Sequence, residues 1–224
     1  MPKRYVWGAA ALLCLLCCTL PQVRITPPPA QIERIEGHAS LRIQSGEDST
    51  RSKFSFLFQL PHRGRIDVSN FLGKTLYQII VDNQTAFLLI PSKRVFWQGN
   101  EEEIVERILW FRLNFDEIIS LMTGQWDESE ENAWRRGWIL EKDEEGRIRA
   151  GQRGELGFEV QEFFQDTPVV RQVTFAHPLN RGRLKILAIN FNQPLKGNVF
   201  SRQFLKTYVQ KTWAEIEEIL DGKN

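Results

Sequence analysis

The chain has 224 residues, 42% of them apolar and 25% charged, with 15 Phe, 7 Trp and a formal net charge of +1. Plentiful aromatic and β-branched side chains without a short repeat exclude disordered, collagen-like and coiled-coil chains, and fit one ordinary globular domain or two small ones. A charge balance this close to neutral argues against nucleic acid as the main partner, because duplex binding needs a clustered excess of Lys and Arg.

Lys3 and Arg4 precede an uncharged apolar run over residues 5–18, the pattern of an export signal. The run is shorter than the about 20 apolar residues that a helix needs to cross a bilayer. All three cysteines, Cys14, Cys17 and Cys18, lie inside or at the end of this run, so the rest of the chain can form no disulfide and must be held by its core. Leu15-Leu16-Cys17-Cys18 resembles the lipobox of bacterial lipoprotein signals, in which a Cys is diacylated and becomes the new N-terminus. That resemblance implies a signal peptide over residues 1–17 and lipidation of Cys18. Cys17 is the alternative site, and an ordinary signal with bystander cysteines the alternative reading. Residues 18–31, carrying Pro21, Pro27, Pro28 and Pro29, read as a tether. In polyproline form it would hold the domain of residues 32–224 up to roughly 40 Å from a membrane.

From Gly37 the pattern takes a period of two, the signature of half-buried strands. Ala39, Leu41 and Ile43 alternate with His38, Ser40 and Arg42, and Phe54, Phe56, Phe58 and Leu60 alternate with Ser55, Leu57 and Gln59. Ile66 and Val68 continue it over residues 65–69, and residues 75–81, 85–90 and 93–97 add three strands. Polar breaks at Gly46-Glu47-Asp48, His62-Arg63-Gly64, Asp82-Asn83 and Pro91-Ser92 predict antiparallel hairpins.

Helical spacing takes over next. Asn100 is placed to cap a helix over residues 101–110, with Glu103 in the capping-box position and Ile104, Val105, Ile108 and Leu109 forming one apolar stripe. Glu101, Glu102 and Glu103 read as first-turn acids that complement the helix dipole, in preference to a metal cluster. Asn114 starts a second short helix carrying Phe115, Ile118, Ile119, Leu121 and Met122, and Gly124 ends it. Strands return over residues 133–141, 157–164, 169–176 and 183–191, with Ile148 in a further one. Residues 203–220 read as a closing amphipathic helix with Phe204, Tyr208, Trp213, Ile216 and Leu220 on one face. The expected fold is α+β: a strongly curved antiparallel sheet of about ten strands, an incomplete barrel, with helices inserted midway and a C-terminal helix.

Alternation leaves two interiors open, a solid core or a ligand cavity, since a curved sheet supports either. Catalysis has little support. His38, His62 and His177 are scattered, and there is no Ser-centred elbow, Walker loop or His-x-x-x-His pair. Asp127, Glu128, Glu130 and Glu131 read as a solvated loop. No enzyme activity, metal or cofactor is expected. Ser69-Asn70-Phe71-Leu72-Gly73-Lys74 stands out, because it puts Phe71 and Leu72 at a hairpin tip. Either the apolar pair marks a contact with a membrane or partner, or Phe71 folds back under the sheet edge. Gly73 supplies the unusual backbone angle in both cases.

The order of these features resembles the LolB family of outer-membrane lipoprotein receptors, and more broadly the LolA/LolB lipoprotein-carrier superfamily. Gly37-His38-Ala39-Ser40-Leu41-Arg42-Ile43 resembles the family's opening strand, and Phe54-Ser55-Phe56-Leu57-Phe58 its second. Ile66-Asp67-Val68-Ser69-Asn70-Phe71-Leu72-Gly73-Lys74-Thr75 resembles its strand and protruding loop, with Phe71 where the family commonly has Pro. Leu113-Asn114-Phe115-Asp116-Glu117-Ile118-Ile119 with Gly124 resembles its helix and Gly turn, and Phe158-Glu159-Val160 and Leu184-Lys185-Ile186 its late strands.

The resemblance implies a monomeric, periplasm-facing outer-membrane receptor, anchored through lipid on Cys18, that needs neither covalent chemistry nor nucleotide. It would accept lipoprotein acyl chains from a periplasmic LolA-like carrier and insert the lipoproteins into the membrane. Phe54, Phe56, Phe58, Ile66 and Val68 would form the cavity wall, Trp110, Phe115 and Met122 a helical lid, and Phe71, Leu72 and Gly73 the membrane-insertion loop. Two other roles fit the same fold, binding or transport of other lipids and an envelope assembly scaffold.

Overall fold

The computed structural model describes residues 25–70, 72–109, 112–126, 137–195 and 197–222. The cysteine-bearing segment, Phe71, Trp110 and residues 127–136, which hold the acidic run and the start of the strand expected from residue 133, lie outside the described residues.

Six strands open the fold: β1 (Arg34–Ser45), β2 (Asp48–Gln59), β3 (Arg63–Ser69), β4 (Thr75–Asp82), β5 (Thr85–Ile90) and β6 (Val95–Asn100). Two helices come after them, α1 (Glu101–Leu109) and α2 (Phe115–Thr123). Then come β7 (Ile139–Lys142), β8 (Ile148–Arg153), β9 (Leu156–Phe163), β10 (Val170–Ala176) and β11 (Arg181–Phe191). A 3-10 turn (Gln203–Lys206), β12 (Val209–Gln210) and α3 (Trp213–Leu220) close the chain. One open sheet takes up all twelve strands in the order β12-β6-β5-β4-β3-β2-β1-β11-β10-β9-β8-β7. Every pairing is antiparallel except β12 with β6.

Twelve strands would span roughly 50 Å if the sheet were flat. Yet one continuous core joins inward side chains from Ile79, Leu88 and Trp97 at one side of the order to Val160, Val173 and Ile186 at the other, under two short helices. A helix of nine residues is only about 13 Å long, so the sheet must curl around α1 and α2 to bury both halves against them. Inward residues keep a period of two: Ile35, Ala39 and Leu41 on β1 stand beside Phe58, Phe54 and Ser52 on β2. A bulge at Leu187 shifts the phase of β11, so Leu184 and Ile186 face inward before it and Ile189 and Phe191 after it.

Three elements differ from the sequence-based expectation. β2 begins at Asp48, six residues before the aromatic alternation, because Asp48-Ser49-Thr50-Arg51-Ser52-Lys53 pairs residue by residue with β1 from Ser45 to Ser40. Of the tether expected over residues 18–31, the described part, residues 25–31, is not free, since Ile25 packs on the core and Asn192 Nδ2 donates to the Gln31 carbonyl at 3.0 Å. Residues 203–220 are not one helix. The Val209 and Lys211 N–H groups donate to the Arg94 and Phe96 carbonyls at 2.9 and 2.8 Å, which makes this stretch a strand on the free edge of β6. Phe204 and Tyr208 can then cover Ile80, Phe87, Leu89 and Phe96 on the outer face. Edge hydrogen bonds and this second apolar cluster outweigh helical periodicity.

The helix resumes at Trp213, where Thr212 and Glu215 form a capping box. Ile216 is wholly buried, and Trp213 meets Trp97 edge-on at 5.3 Å. Lys211 and then the Thr212 backbone and hydroxyl hold the Glu215 carboxyl well below its ordinary value, at about 2. A depressed carboxyl stabilises the fold above its unfolded pKa, and that contribution fades as pH falls through the folded value. Trp213 emission should therefore hold steady between pH 7 and about 5 and report undocking of α3 as pH drops from about 4.5 toward about 2. Glu215→Gln should lack that part of the acid response; an identical acid profile would show that this carboxyl does not hold α3.

Candidate functional site

Along β2 the inward side chains run Phe58, Phe56, Phe54, Ser52, Thr50 and Asp48, from large aromatic rings to small polar groups. At the aromatic end the interior is filled. Phe56 stacks on Phe58 at 5.4 Å, and Phe58 meets Phe115 of α2 edge-on at 5.1 Å. Two glycines make room for these rings: a Cβ on Gly37 would lie 2.7 Å from the Phe56 ring, and one on Gly64 would lie 2.2 Å from the Phe115 ring. At the other end, small side chains leave the interior open.

The opening is a cleft of about 190 Å³ between the concave face and the helices. Leu41, Ile43 and Ser45 of β1, Asp48, Thr50, Ser52 and Phe54 of β2, Ile66 and Val68 of β3, and Tyr77 and Ile79 of β4 form one wall. Ile104, Val105 and Ile108 of α1 and Ile118 of α2 form the other. The polar residues Ser45, Asp48, Thr50 and Ser52 sit toward the β1–β2 turn, so the mouth is polar and the interior apolar. Burial pushes the Tyr77 phenol above its usual pKa, which keeps it neutral in this setting.

The helices over the cleft are held by hydrogen-bonded carboxylates. Asn100 Oδ1 accepts from the Glu103 N–H at 2.6 Å to start α1, and Glu101 Oε1 accepts from the Phe115 N–H at 2.7 Å to tie α1 to α2. Burial pushes the Glu101 carboxyl up, against the lowering effect of that N–H. Asn114 and Glu117 form the capping box of α2, and Gly124 ends it in the left-handed region. Glu117 is 1% exposed. Its Oε1 accepts from Trp138 Nε1 at 2.8 Å and from Arg153 Nη1, and its Oε2 from the Asn114 N–H at 2.9 Å, pinning α2 to the β7–β8 side of the sheet.

The mouth lies at the end of the sheet where β1 turns into β2, and antiparallel pairing puts the β3–β4 and β10–β11 loops at that same end. There, Asn70 Oδ1 accepts from the Leu72 and Lys74 N–H groups, both at 3.0 Å, and Gly73 has φ +79°. This tight loop leaves Leu72 77% exposed; Leu179 in the β10–β11 loop is 72% exposed and Ile139 at the start of β7 is 74% exposed. The three most exposed large apolar side chains of the described residues thus lie at the same end of the sheet as the cleft mouth.

Of the residues singled out in the sequence for the cavity, Phe54, Ile66 and Val68 line the cleft, whereas Phe56, Phe58, Phe115 and Met122 are packed in the core beside it. Trp110 and Phe71 lie outside the described residues. Leu41, Ile43, Ile104, Val105 and Ile108 were legible as apolar faces of their elements but not as cleft walls. Thr50 and Ser52 carried no signal, since polar residues in a strand look like solvent positions. Among the described residues no three His, Cys, Asp or Glu side chains come together as a metal site, and no helix is long and apolar enough to cross a membrane.

The architecture has counterparts among solved structures. A DUF1329 family protein from Desulfovibrio piger aligns with a TM-score of 0.53 at 8% identity, over 77% of this chain and 91% of that one. A LolA superfamily protein from Nitrosomonas europaea aligns with a TM-score of 0.51 at 7% identity, over 82% of this chain and 94% of that one. No protein-family model and no curated protein matches the sequence. The chain therefore has a LolA/LolB-type fold, a curved open sheet closed on its concave side by helices, with an apolar cleft between them.

Proposed function

We propose that the protein is a lipid-anchored outer-membrane receptor that takes lipoprotein acyl chains from a LolA-like periplasmic carrier into the cleft and passes them to the bilayer without covalent chemistry. The observation that carries this reading is the cleft, with its polar mouth and apolar interior. Its volume of about 190 Å³ exceeds the roughly 150 Å³ of an engineered apolar cavity that binds benzene. The driving force is the burial of methylene groups at about 0.8 kcal/mol each, so a sixteen-carbon chain costs roughly 12 kcal/mol to expose to water. A whole acyl chain needs more room than the closed cleft offers. In this reading α1 and α2 form a lid that swings from the sheet as cargo enters, trading Ile104, Val105, Ile108 and Ile118 contacts for contacts with the tail. Cys18 carries the anchor, and Leu72, flanked by Phe71 and Gly73, is the tip that meets the membrane. The LolA-type fold supports the same class of cargo.

Ser52→Trp tests the cleft directly. The side chain is half-buried and borders the open space, so an indole there should fill it and lower affinity for a fluorescent fatty acid by on the order of tenfold or more, with little change in Tm. Unchanged binding would move the ligand elsewhere. Mass spectrometry of material extracted from the native protein separates lipoprotein cargo from other lipids.

A further inference from the structure

The convex face of the central strands carries a field of positive charge that the fold itself does not use. Arg42 on β1 stands directly opposite Arg51 on β2 and Arg183 on β11. Lys53, Arg181 and Lys185 occupy the next outward positions on those two flanking strands. None of the six makes an ion pair or side-chain hydrogen bond among the described residues. Asp67 on β3 is held by Arg65 at 2.9 Å, and Glu159 on β9 is separated from Arg183 by Thr174 on β10. Like charges directly opposite one another in a sheet are destabilising. Folding therefore gives no reason to align three guanidinium groups in one row across three strands.

We propose that this face docks on an anionic lipid surface, with the basic row lying toward the same end of the sheet as the Leu72 loop, so that the row and the cleft mouth approach one bilayer together. The proposal rests on the lipid-anchor reading, because an anchored chain already stands beside a bilayer, within reach of its headgroups. Leu187, pushed out of register by the β11 bulge and 43% exposed, adds an apolar side chain to the same outward face. Cations beside an exposed Leu suit a headgroup layer with hydrocarbon beneath it. An acidic protein partner would account for the charge alone. Each Lys or Arg held near an anionic leaflet strengthens binding by about fivefold, and salt screens the effect.

The test uses the full chain captured through its C-terminus, exposed to vesicles of phosphatidylcholine alone or of phosphatidylcholine with phosphatidylglycerol. The parent should hold the anionic vesicles more tightly than the neutral ones, and high salt should erase the difference. The triple variant Arg42→Gln, Arg51→Gln, Arg183→Gln should lose the preference, on the order of a hundredfold. Its Tm should stay level or rise, because repulsion is relieved. Replacing the same three residues with Lys should keep the preference, which separates charge from packing. Equal retention of anionic vesicles by the parent and the Gln variant overturns the proposal, as does retention of polyglutamate in place of vesicles, which would assign the face to an acidic protein. Loss of the parent's hold on neutral vesicles with the anionic preference intact counts against the anchor reading and leaves the docking face standing.

Discussion

Glu117→Ala is expected to destabilise the protein by about 3–5 kcal/mol, a large share of the stability of a single domain. The carboxylate meets three donors at the junction of α2 with β7 and β8: the Trp138 indole, the Arg153 guanidinium and the Asn114 backbone. Removing it strands the buried Trp138 indole N–H, takes one partner from Arg153, and deletes the capping box that starts α2. Thermal unfolding should show Tm lower by on the order of 10 °C. Glu117→Gln keeps an acceptor of the same shape but no charge, so its loss should be smaller, about 1.5–3 kcal/mol. An alanine variant as stable as the parent would mean that the contact holds nothing together.

Leu72→Glu is expected to leave the fold intact and to cripple delivery. The side chain is 77% exposed and its loop is closed by Asn70 and Gly73, so no packing depends on it. At a membrane, however, a buried Leu is worth about 1.5–3 kcal/mol, and a carboxylate in its place adds a desolvation cost. Transfer of a lipoprotein from a carrier to vesicles should fall by on the order of tenfold to a hundredfold, while Tm and fatty-acid binding in the cleft stay at parental values. Equal transfer by variant and parent would remove Leu72 from the mechanism. Leu179 and Ile139, exposed apolar side chains at the same end of the sheet, would then be the next to substitute.

Several parts of the fold and site are readable in the chain itself. Phe54, Phe56, Phe58, Ile66 and Val68 share one face because a strand's side chains alternate strictly, so a run of that kind predicts its own partition. The bounds of α2 are legible in Asn114 and Gly124, whose cap roles depend on local backbone chemistry. Harder to read are elements whose conformation is imposed by a neighbour. The polar stretch from Asp48 to Lys53 is a strand because β1 supplies its hydrogen bonds, and Val209–Gln210 is a strand because β6 has a free edge. The basic row is equally hidden, since Arg42, Arg51 and Arg183 meet only through strand register.

Local chemistry in the chain determined an α+β protein with alternating apolar faces, capped helices inserted midway, and a loop that lifts Leu72 away from the body. Tertiary structure decided which aromatics became solid core and which faced empty space. That choice depends on the separation between elements far apart in sequence: Phe115 from α2 closes one end against Phe58 and Gly64, while Ser52 and Thr50 stand across from Ile104 and Ile108 with nothing between them. Periodicity specifies the direction of a side chain relative to its own strand or helix. The volume enclosed depends on the distance to the next element, and only packing sets that distance.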